Sequence, residues 1–286
     1  DARTLRRHVT FLTTEVLPRD ADHPENLDRA AAYIATAFRA HGARVSEQPF
    51  RVRGKMYRNV LAYYGPADET RPLIVVGAHY DAFSANQPLP GADDNASGTA
   101  GLLELARLLQ QHAPAAPVLL VAFSTEEPPF FGSEQMGSAI HAQSLAAAGR
   151  QVAAMISLEM IGCFSGTQTW ESPLLSLVYP DSAAFIGVAG GWDDRALART
   201  TKRALRGAGG VEVLSFSGPR AMLDASDQRN YWARGWSAVM VTDTAYLRNP
   251  RYHTIRDTAD TLDYRRMSHV VDGVFSAVIA VARGVS

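Results

Sequence analysis

The apolar residues of the chain follow two kinds of spacing, and each kind predicts a different element. Between residues 25 and 40 they recur every three or four positions, and a His-Gly pair follows, which is typical of a helix and its end. At residues 45–52 and 56–64 apolar and polar positions alternate on either side of Gly54, which predicts two paired strands. The amino-terminal part is therefore predicted to contain a helix and a two-stranded meander.

Beyond residue 72 the pattern changes to continuous apolar runs. Such runs are typical of strands that are buried on both faces of a sheet, and they occur at residues 73–78, 118–123, 153–158 and 238–241. Helical spacing appears between and after these runs, at residues 99–111, 137–148, 195–205, 227–234 and 264–283. Strands that alternate with helices predict a three-layer α/β/α sandwich around a mixed, mostly parallel sheet. We expect one domain over residues 1–286, with an irregular aromatic segment at 162–192.

Composition and charge exclude several classes of protein. The chain has 28 Lys and Arg against 29 Asp and Glu, so the formal net charge of −1 predicts no nucleic-acid partner. Apolar residues make up 47% of the chain, which is enough for a sizeable core. The single cysteine, Cys163, excludes an intramolecular disulfide and a cysteine-based zinc site, and we expect it to be buried.

Two features of the sequence bear on the cellular location of the protein. The longest apolar run near its end, at residues 274–282, is shorter than the roughly 20 residues needed to cross a bilayer, so we predict no membrane span. The sequence starts with Asp rather than Met, which leaves the compartment open and allows a secreted or periplasmic location after removal of a leader. The oligomeric state is left open as well.

Side chains that can bind metals follow the predicted strands or precede a predicted helix. They are His79, Asp94, Glu126, Glu127, Glu159 and His253. Taken singly, each is more typical of a solvated loop or a helix cap than of a metal ligand, but the carboxyl ends of parallel strands meet at one edge of a sheet. Carboxylates that converge there repel one another unless a cation compensates them, and the mixture of imidazole and carboxylate favours zinc over magnesium or calcium.

These residues stand in motifs that resemble the M28 family of co-catalytic zinc peptidases. In chain order, between residues 73 and 263, the motifs are His79-x-Asp81, Gly91-x-x-Asp94-x-x-Ser97-Gly98, Glu126-Glu127, Glu159 and Tyr252-His253-Thr254-x-x-x-Asp257. The resemblance implies a zinc-exopeptidase fold and an aminopeptidase that hydrolyses amino-terminal residues from peptide substrates.

The same resemblance implies two Zn²⁺ ions that share Asp94 as a bridging ligand. One ion would be held by His79, Asp94 and Glu159, and the other by Asp94, Glu127 and His253. In the family the peptide bond after the bridging aspartate is cis, and we expect a cis bond at that position here.

The resemblance also implies roles for residues around the metals. Glu126 would act as the general base that activates a metal-bridging water, and Tyr252 would donate a hydrogen bond to the developing oxyanion. Asp81 would accept the proton of the first histidine ring and fix its orientation. Asp227 would orient groups in the site, and Asp257 would lie near the second histidine.

Departures from the family pattern leave alternatives open. Glu159 stands where many family aminopeptidases have Asp, which suggests carboxypeptidase-type specificity, and Gln228 replaces a family histidine after Asp227. Glutaminyl cyclases, which bind a single zinc, share the scaffold and keep counterparts of Glu126 and several ligands. A non-catalytic binding module is a further alternative, although every ligand position is filled.

Aromatic residues near the motifs are candidates for a substrate pocket. Phe130, Phe131, Phe164 and Trp170 would together favour hydrophobic amino-terminal residues, and core packing is the competing interpretation. Arg248, which precedes the second histidine, is a candidate for binding a substrate carboxylate, and surface solvation is the simpler interpretation for it.

Overall fold

A mixed sheet between two layers of helices forms the framework of the chain, which the computed structural model describes over residues 1–84, 87–170 and 173–284. Its eight strands are β1 (Arg44–Val52), β2 (Lys55–Tyr64), β3 (Leu73–His79), β4 (Val118–Phe123), β5 (Val152–Glu159), β6 (Phe185–Gly191), β7 (Glu212–Gly218) and β8 (Ala238–Thr242). The helices are α1 (Ala2–Thr14), α2 (Pro24–Ala40), α3 (Gly98–Gln111), α4 (Gly137–Ala147), α5 (Pro173–Ser176), α6 (Arg195–Ala208), α7 (Gln228–Trp232) and α8 (Tyr264–Gly284).

The strand order of the sheet is β1-β2-β4-β3-β5-β8-β6-β7. The four central strands β4, β3, β5 and β8 are parallel to one another, so their carboxyl ends lie at the same edge. On one side β2 is antiparallel to β4, and on the other β6 is antiparallel to β8 and parallel to β7. This confirms the predicted mixed sheet with a mostly parallel centre.

Successive side chains of the central strands enter different cores. In β3, Ile74 and Val76 pack in a larger core with α1, α2, α3, α6 and α8, whereas Leu73 and Val75 pack in a smaller core with α4 and α7. Both faces of these strands are therefore buried, which explains why their sequences are continuous apolar runs.

Most of the predicted elements are confirmed, but α1, α5, β6 and β7 were not predicted. The prediction of an irregular segment at 162–192 was wrong for Pro173–Ser176, which forms the single-turn helix α5, and for Phe185–Gly191, which forms β6. This strand contains three glycines and so carries little apolar periodicity. β7 lies at the edge of the sheet, where several of its side chains are only partly buried. In α1 the buried Leu5, Val9 and Leu12 do follow helical spacing, so that signal was present in the sequence.

Helix α8 is long and apolar enough, by length and composition alone, to cross a membrane, and among the residues described it is the one helix that meets this test. Its side chains Met267, Val270, Val274 and Val278 are buried in the larger core. Packing inside the fold thus accounts for its apolar character.

Candidate active site

The ends of the central strands carry most of the predicted metal ligands. His79 is the last residue of β3 and Glu159 the last of β5, while Glu126 and Glu127 follow β4 after a short turn. His253 lies in the loop after β8. The first four are buried and His253 is partly exposed, so the structure brings four of the five predicted ligands, together with the predicted base Glu126, to one edge of the sheet.

Asp94 lies in a kinked helical turn, Ala92–Ser97, that leads into α3. Its backbone angles are not helical, and the peptide bond that follows it is cis, as expected from the sequence. The side chain of Asn95 ties this turn to the end of β5, because its Nδ2 donates to the carbonyl oxygen of Leu158 at 2.8 Å. Its Oδ1 accepts from the backbone N–H of Gly98 at 3.0 Å. The turn is thus held at the strand ends.

Two groups of ligand atoms meet at the carboxylate of Asp94. Its Oδ1 lies 3.4 Å from Nε2 of His79, and its Oδ2 lies 3.0 Å from Nε2 of His253. Glu159 Oε2 is 3.3 Å from the same nitrogen of His79, and Glu127 Oε2 is 3.5 Å from the same nitrogen of His253. Nitrogen and oxygen atoms at these separations are a donor set that zinc accepts.

Burial and the opposed charges of the cluster shift the pKa values of its members. Burial and the neighbouring Asp94 raise the pKa of Glu127 to about 8, and burial raises the pKa of Glu126 well above its usual value. Burial lowers the pKa of His253, but Asp94 and Glu127 outweigh it and raise the value to about 9. In addition, Glu127 Oε1 and His253 Nε2 are buried and make no hydrogen bond of normal geometry among the described residues, although His253 Nε2 lies 3.0 Å from Asp94 Oδ2. A divalent cation would satisfy both atoms and relieve the repulsion.

Asp81 organises the turn that carries the two glutamates. Its carboxylate accepts hydrogen bonds from the backbone N–H groups of Glu126 and Glu127, at 3.2 and 3.1 Å. We expected this carboxylate to accept the proton of His79. Nδ1 of His79 is closer to the backbone carbonyl oxygen of Asp81, at 3.1 Å, than to its carboxylate, at 3.5 Å. The carbonyl is therefore the nearer acceptor for the ring.

The other two supporting aspartates are also buried. We expected Asp257 beside His253, but its carboxylate accepts the backbone N–H groups of Asp93 and Asp94, and so supports the turn that carries Asp94. Asp227 is fully buried just before α7, and burial raises its pKa to about 7.

Three residues at the site have left-handed backbone angles although none is a glycine. They are Thr125 just before Glu126, Met160 just after Glu159, and His253 itself, with φ values of 58°, 50° and 55°. Such conformations cost free energy and persist where the surrounding structure enforces them, often at functional sites. The sequence carries no signal for them.

The imidazole of His253 is stacked between two aromatic rings. Tyr252 lies 3.7 Å from it and Phe83 4.1 Å, centroid to centroid, with nearly parallel planes. Phe83 was not predicted to take part, and the only signal in the sequence is its place four residues after His79. Burial and the nearby carboxylates raise the pKa of Tyr252, so its hydroxyl remains a hydrogen-bond donor.

A cavity of about 720 Å³ opens beside the ligand cluster. One end is lined by Asp94, Glu126, Glu127, Glu159, Tyr252 and His253. The remaining walls are largely apolar, and include Phe131, Trp170, Leu175, Tyr179, Trp192, Phe216, Met222, Leu223 and Met240. The described residues that line this cavity include no Lys or Arg. The cavity thus combines acidic and apolar surfaces.

Two of the four aromatic residues predicted to form the pocket line this cavity, namely Phe131 and Trp170. Phe130 is 2% exposed and packs edge-on against Tyr57, while Phe164 is buried in the larger core. Phe130 and Phe164 therefore pack in the protein interior, as the competing interpretation predicted.

The structure does not support a role for Arg248 in binding a substrate carboxylate. Its side chain is 3% exposed and lies outside the cavity lining. Nη1 donates to the backbone carbonyl oxygens of Ala183 and Phe185, at 2.8 and 2.7 Å, and the guanidinium lies 4.1 Å over the Phe185 ring. The residue therefore ties loops together behind the cavity, where the sequence had suggested a surface position or a ligand contact.

Sequence relatives of the chain include a probable zinc metalloprotease. Residues 59–278 match the model of peptidase family M28. A protein of Escherichia coli K12 described as uncharacterized protein YfbL is 49% identical over 282 residues, with 95% of this chain and 86% of that protein covered. A probable zinc metalloprotease of Pyrenophora tritici-repentis is 26% identical over 307 residues, with 96% of this chain but only 62% of that protein covered.

Solved structures with the same fold include enzymes of two activities. A zinc aminopeptidase of Bacillus subtilis has a TM-score of 0.78 at 16% identity, with 98% of this chain and 95% of that chain covered. A glutaminyl cyclase of Bacteroides thetaiotaomicron has a TM-score of 0.73 at 21% identity, with 98% and 97% covered. These likenesses concern the fold alone. Because the family model matches most of its length, the chain belongs to peptidase family M28, and it is a zinc metallopeptidase.

Proposed function

We propose that this metallopeptidase is a di-zinc aminopeptidase that removes amino-terminal residues from peptides. The observation that carries the proposal is the orientation of Asp94, whose two carboxylate oxygens face two different histidines, His79 and His253. A carboxylate that bridges two ions requires this arrangement. Glu159 would complete one set of ligands and Glu127 the other.

In the proposed reaction Glu126 handles the proton. Zinc, when bound, lowers the pKa of water toward ~7 and polarises a carbonyl. The carboxylate of Glu126 lines the cavity, with Oε2 3.8 Å from Nε2 of His79. From there it would hold the proton that the attacking water loses and return it to the departing amine. The hydroxyl of Tyr252, which also lines the cavity, would donate to the oxyanion.

The charges of the cavity support an amino-terminal rather than a carboxyl-terminal substrate end. Carboxylates line it, including Asp224, which is not one of the proposed ligands, and the described lining contains no Lys or Arg. A substrate carboxylate buried there, beyond the proposed metals, would find no Lys or Arg side chain among the described lining residues, whereas a protonated amine would find acidic groups. The apolar walls add a preference for a hydrophobic first residue.

Glutaminyl-peptide cyclisation is the second candidate, supported by the similarity of the fold to a glutaminyl cyclase. Glu126, Asp94, Glu127 and His253 would serve a single-zinc cyclase equally well. The di-zinc proposal differs because it also uses His79, whose Nε2 faces Asp94 and Glu159.

Metal analysis combined with a substrate panel tests the proposal. The purified, dialysed protein should bind about two zinc ions per chain and release leucine from unblocked leucyl peptides faster than lysine or glutamate from matched peptides. About one zinc together with pyroglutamate formation from glutaminyl peptides would establish the cyclase instead. Cleavage of amino-blocked peptides from their carboxyl end would establish a carboxypeptidase.

A matched pair of histidine variants checks the ligand assignment. His79→Gln should lower the zinc content by about one ion per chain, because it removes a nitrogen of the first ligand set. His112→Gln is the control, since that histidine is exposed at the end of α3. Equal zinc content in both variants would contradict the assignment of His79.

A further inference from the structure

A buried arginine lies beneath the loops that carry the proposed ligands. Arg19 is fully buried, which is unusual for so long a charged side chain, and it stands in the connection between α1 and α2. It precedes residues 59–278, which match the family model. The residue therefore belongs to a part of the chain that the family match does not describe.

Arg19 binds the loop that follows β3 through both its side chain and its backbone. Nε donates to the carbonyl oxygen of Tyr80 at 2.9 Å, and the carbonyl oxygen of Arg19 accepts from the N–H of Ala82 at 2.8 Å. Tyr80 lies between His79 and Asp81 in the sequence. Arg19 thus holds the backbone on the carboxyl side of the first histidine ligand.

The same guanidinium binds the loop that leads to Asp94. Nη1 donates to the carbonyl oxygen of Pro90 at 2.9 Å, and Nη2 donates to that of Gly91 at 3.0 Å. Gly91 has a φ of +56°, and a Cβ atom there would lie 2.3 Å from the carbonyl oxygen of Asp94 and 3.3 Å from Nη2 of Arg19. The loop, the guanidinium and the Asp94 turn are therefore in close contact. Nη1 also donates to the carbonyl oxygen of Leu12 in α1.

The positive charge of Arg19 lies near the carboxylates of the acidic cluster. The side-chain hydrogen bonds described above all end on backbone carbonyl oxygens, so none of them is an ion pair. Burial lowers the pKa of Arg19 to about 10, and the nearby carboxylates of Asp81, Asp257 and Asp94 oppose that shift. The side chain therefore stays protonated at neutral pH. A buried cation is costly unless its surroundings compensate it, and here the compensation comes from the negative groups of the site.

We propose that Arg19 is a positioning residue of the zinc site, which sets the spacing between the loop after His79 and the turn that carries Asp94. Its contacts reach both segments at once, and its fixed fork of donors suits several carbonyl oxygens in a way that a lysine does not. The inference rests on the proposed ligands His79 and Asp94.

Variants of Arg19 and a matched control test this role. Arg19→Met keeps much of the buried length but removes the charge and the donors, and Arg19→Lys keeps the charge without the fork. Arg29→Met is the control, because Arg29 also donates to a backbone carbonyl oxygen, that of Glu15, but at an exposed position. For each protein the measurements are the zinc dissociation constant by chelator competition, the Tm with and without zinc, and the absorption bands of the cobalt-substituted form.

Arg19→Met should weaken zinc binding more than tenfold and reduce the rise in Tm that zinc produces, and Arg19→Lys should weaken binding at least threefold with shifted cobalt bands. Arg29→Met should match the wild type. A purely structural role would lower the Tm of both forms equally and leave the dissociation constant within twofold, and that result would overturn the proposal. If Arg19→Met does not fold, unchanged zinc affinity and cobalt bands in Arg19→Lys would overturn it equally.

His79→Gln, measured in parallel, separates this inference from the proposed function. If that variant binds zinc as tightly as the wild type, the ligand assignment is wrong and the role of Arg19 fails with it. If His79→Gln loses zinc while Arg19→Met and Arg19→Lys do not, the ligand assignment stands and the role of Arg19 alone is wrong.

Discussion

Glu126 and Glu127 are adjacent in sequence, but their carboxylates face different groups. Glu127 Oε2 lies 3.5 Å from Nε2 of His253, and Glu126 Oε2 lies 3.8 Å from Nε2 of His79. Asp81 binds the backbone N–H of both residues, so the turn holds both side chains while their directions differ. One turn thereby presents a candidate metal ligand and a candidate base.

Glu126→Gln separates these two roles. The amide has nearly the same shape as the carboxylate but cannot accept and return the proton, so we expect kcat to fall by roughly 10²–10⁴-fold. The zinc content should stay at the wild-type value, because the proposed ligand at this turn is Glu127. Steady-state kinetics and metal analysis check both expectations. Glu134→Gln, at an exposed position in the following loop, is the control, and wild-type turnover in Glu126→Gln would exclude Glu126 as the base.

At the scale of elements, the positions of the candidate ligands were predictable because the strands that carry them are buried on both faces. Continuous apolar runs mark β3, β4, β5 and β8, and the polar residues just after such runs stand at the edge where ligands gather. The family motifs then selected the same residues. The ends of elements were predictable to within about three residues, as in α6, which was expected at 195–205 and extends over Arg195–Ala208.

What the sequence did not predict depends on contacts between distant segments. Arg19 reaches the site from the connection after α1, Phe83 stacks on His253, and Asp257 binds the turn at Asp94. None of these contacts leaves a periodic pattern in the sequence, because each joins segments that meet only in the folded structure. The position of Arg248 behind the cavity has the same origin, because its partners are carbonyl oxygens about 65 residues away.

The junction of the Asp94 turn with α3 offers a prediction at this scale. A Cβ atom at Gly98 would lie 2.4 Å from Oδ1 of Asn95 and 2.5 Å from the carbonyl oxygen of Leu158 in β5. Gly98→Ala should therefore lower the free energy of unfolding by about 1–3 kcal/mol and weaken zinc binding, because the turn must move. Gly207→Ala in α6, where a Cβ atom has nothing within 4 Å, should instead be stabilising by up to ~1 kcal/mol. Urea denaturation of both variants measures the difference, and equal stabilities would refute the close packing.

On the scale of the whole molecule, the two helical layers are unequal. Helices α1, α2, α3, α6 and α8 contribute to the larger core, whereas α4 and α7 contribute to the smaller one. The large cavity is lined by Ala189 of β6, Phe216 of β7 and Met240 of β8, strands at one side of the sheet. These side chains continue from the ligand cluster as an apolar wall. The architecture thus places an apolar surface next to the carboxylates, which supports the proposed preference for hydrophobic residues.

The two cores also each contain a neutral buried histidine, and these predict how stability depends on pH. His141 in α4 is 2.7 Å from the hydroxyl of Tyr231, and His8 in α1 is 2.6 Å from that of Tyr33. Burial lowers the pKa of His141 to about 3 and that of His8 to about 4. In the unfolded chain these two histidines, with pKa values near ~6.5, bind more protons below that pH than in the folded chain, so their contribution to stability is lost as the pH decreases from about 6.5 toward 3.

His141→Gln isolates one of these contributions. On going from pH 7 to pH 5 the unfolding free energy of this variant should change by about 2 kcal/mol less in the destabilising direction than that of the wild type, because one group that takes up a proton only on unfolding has been removed. Carboxylates with shifted pKa values titrate in both proteins and cancel in the comparison. His112→Gln, which alters an exposed ring, should keep the wild-type dependence. Urea unfolding at the two pH values measures the difference, and parallel pH dependences for His141→Gln and the wild type would show that His141 takes up its proton as readily in the folded protein as in the unfolded chain.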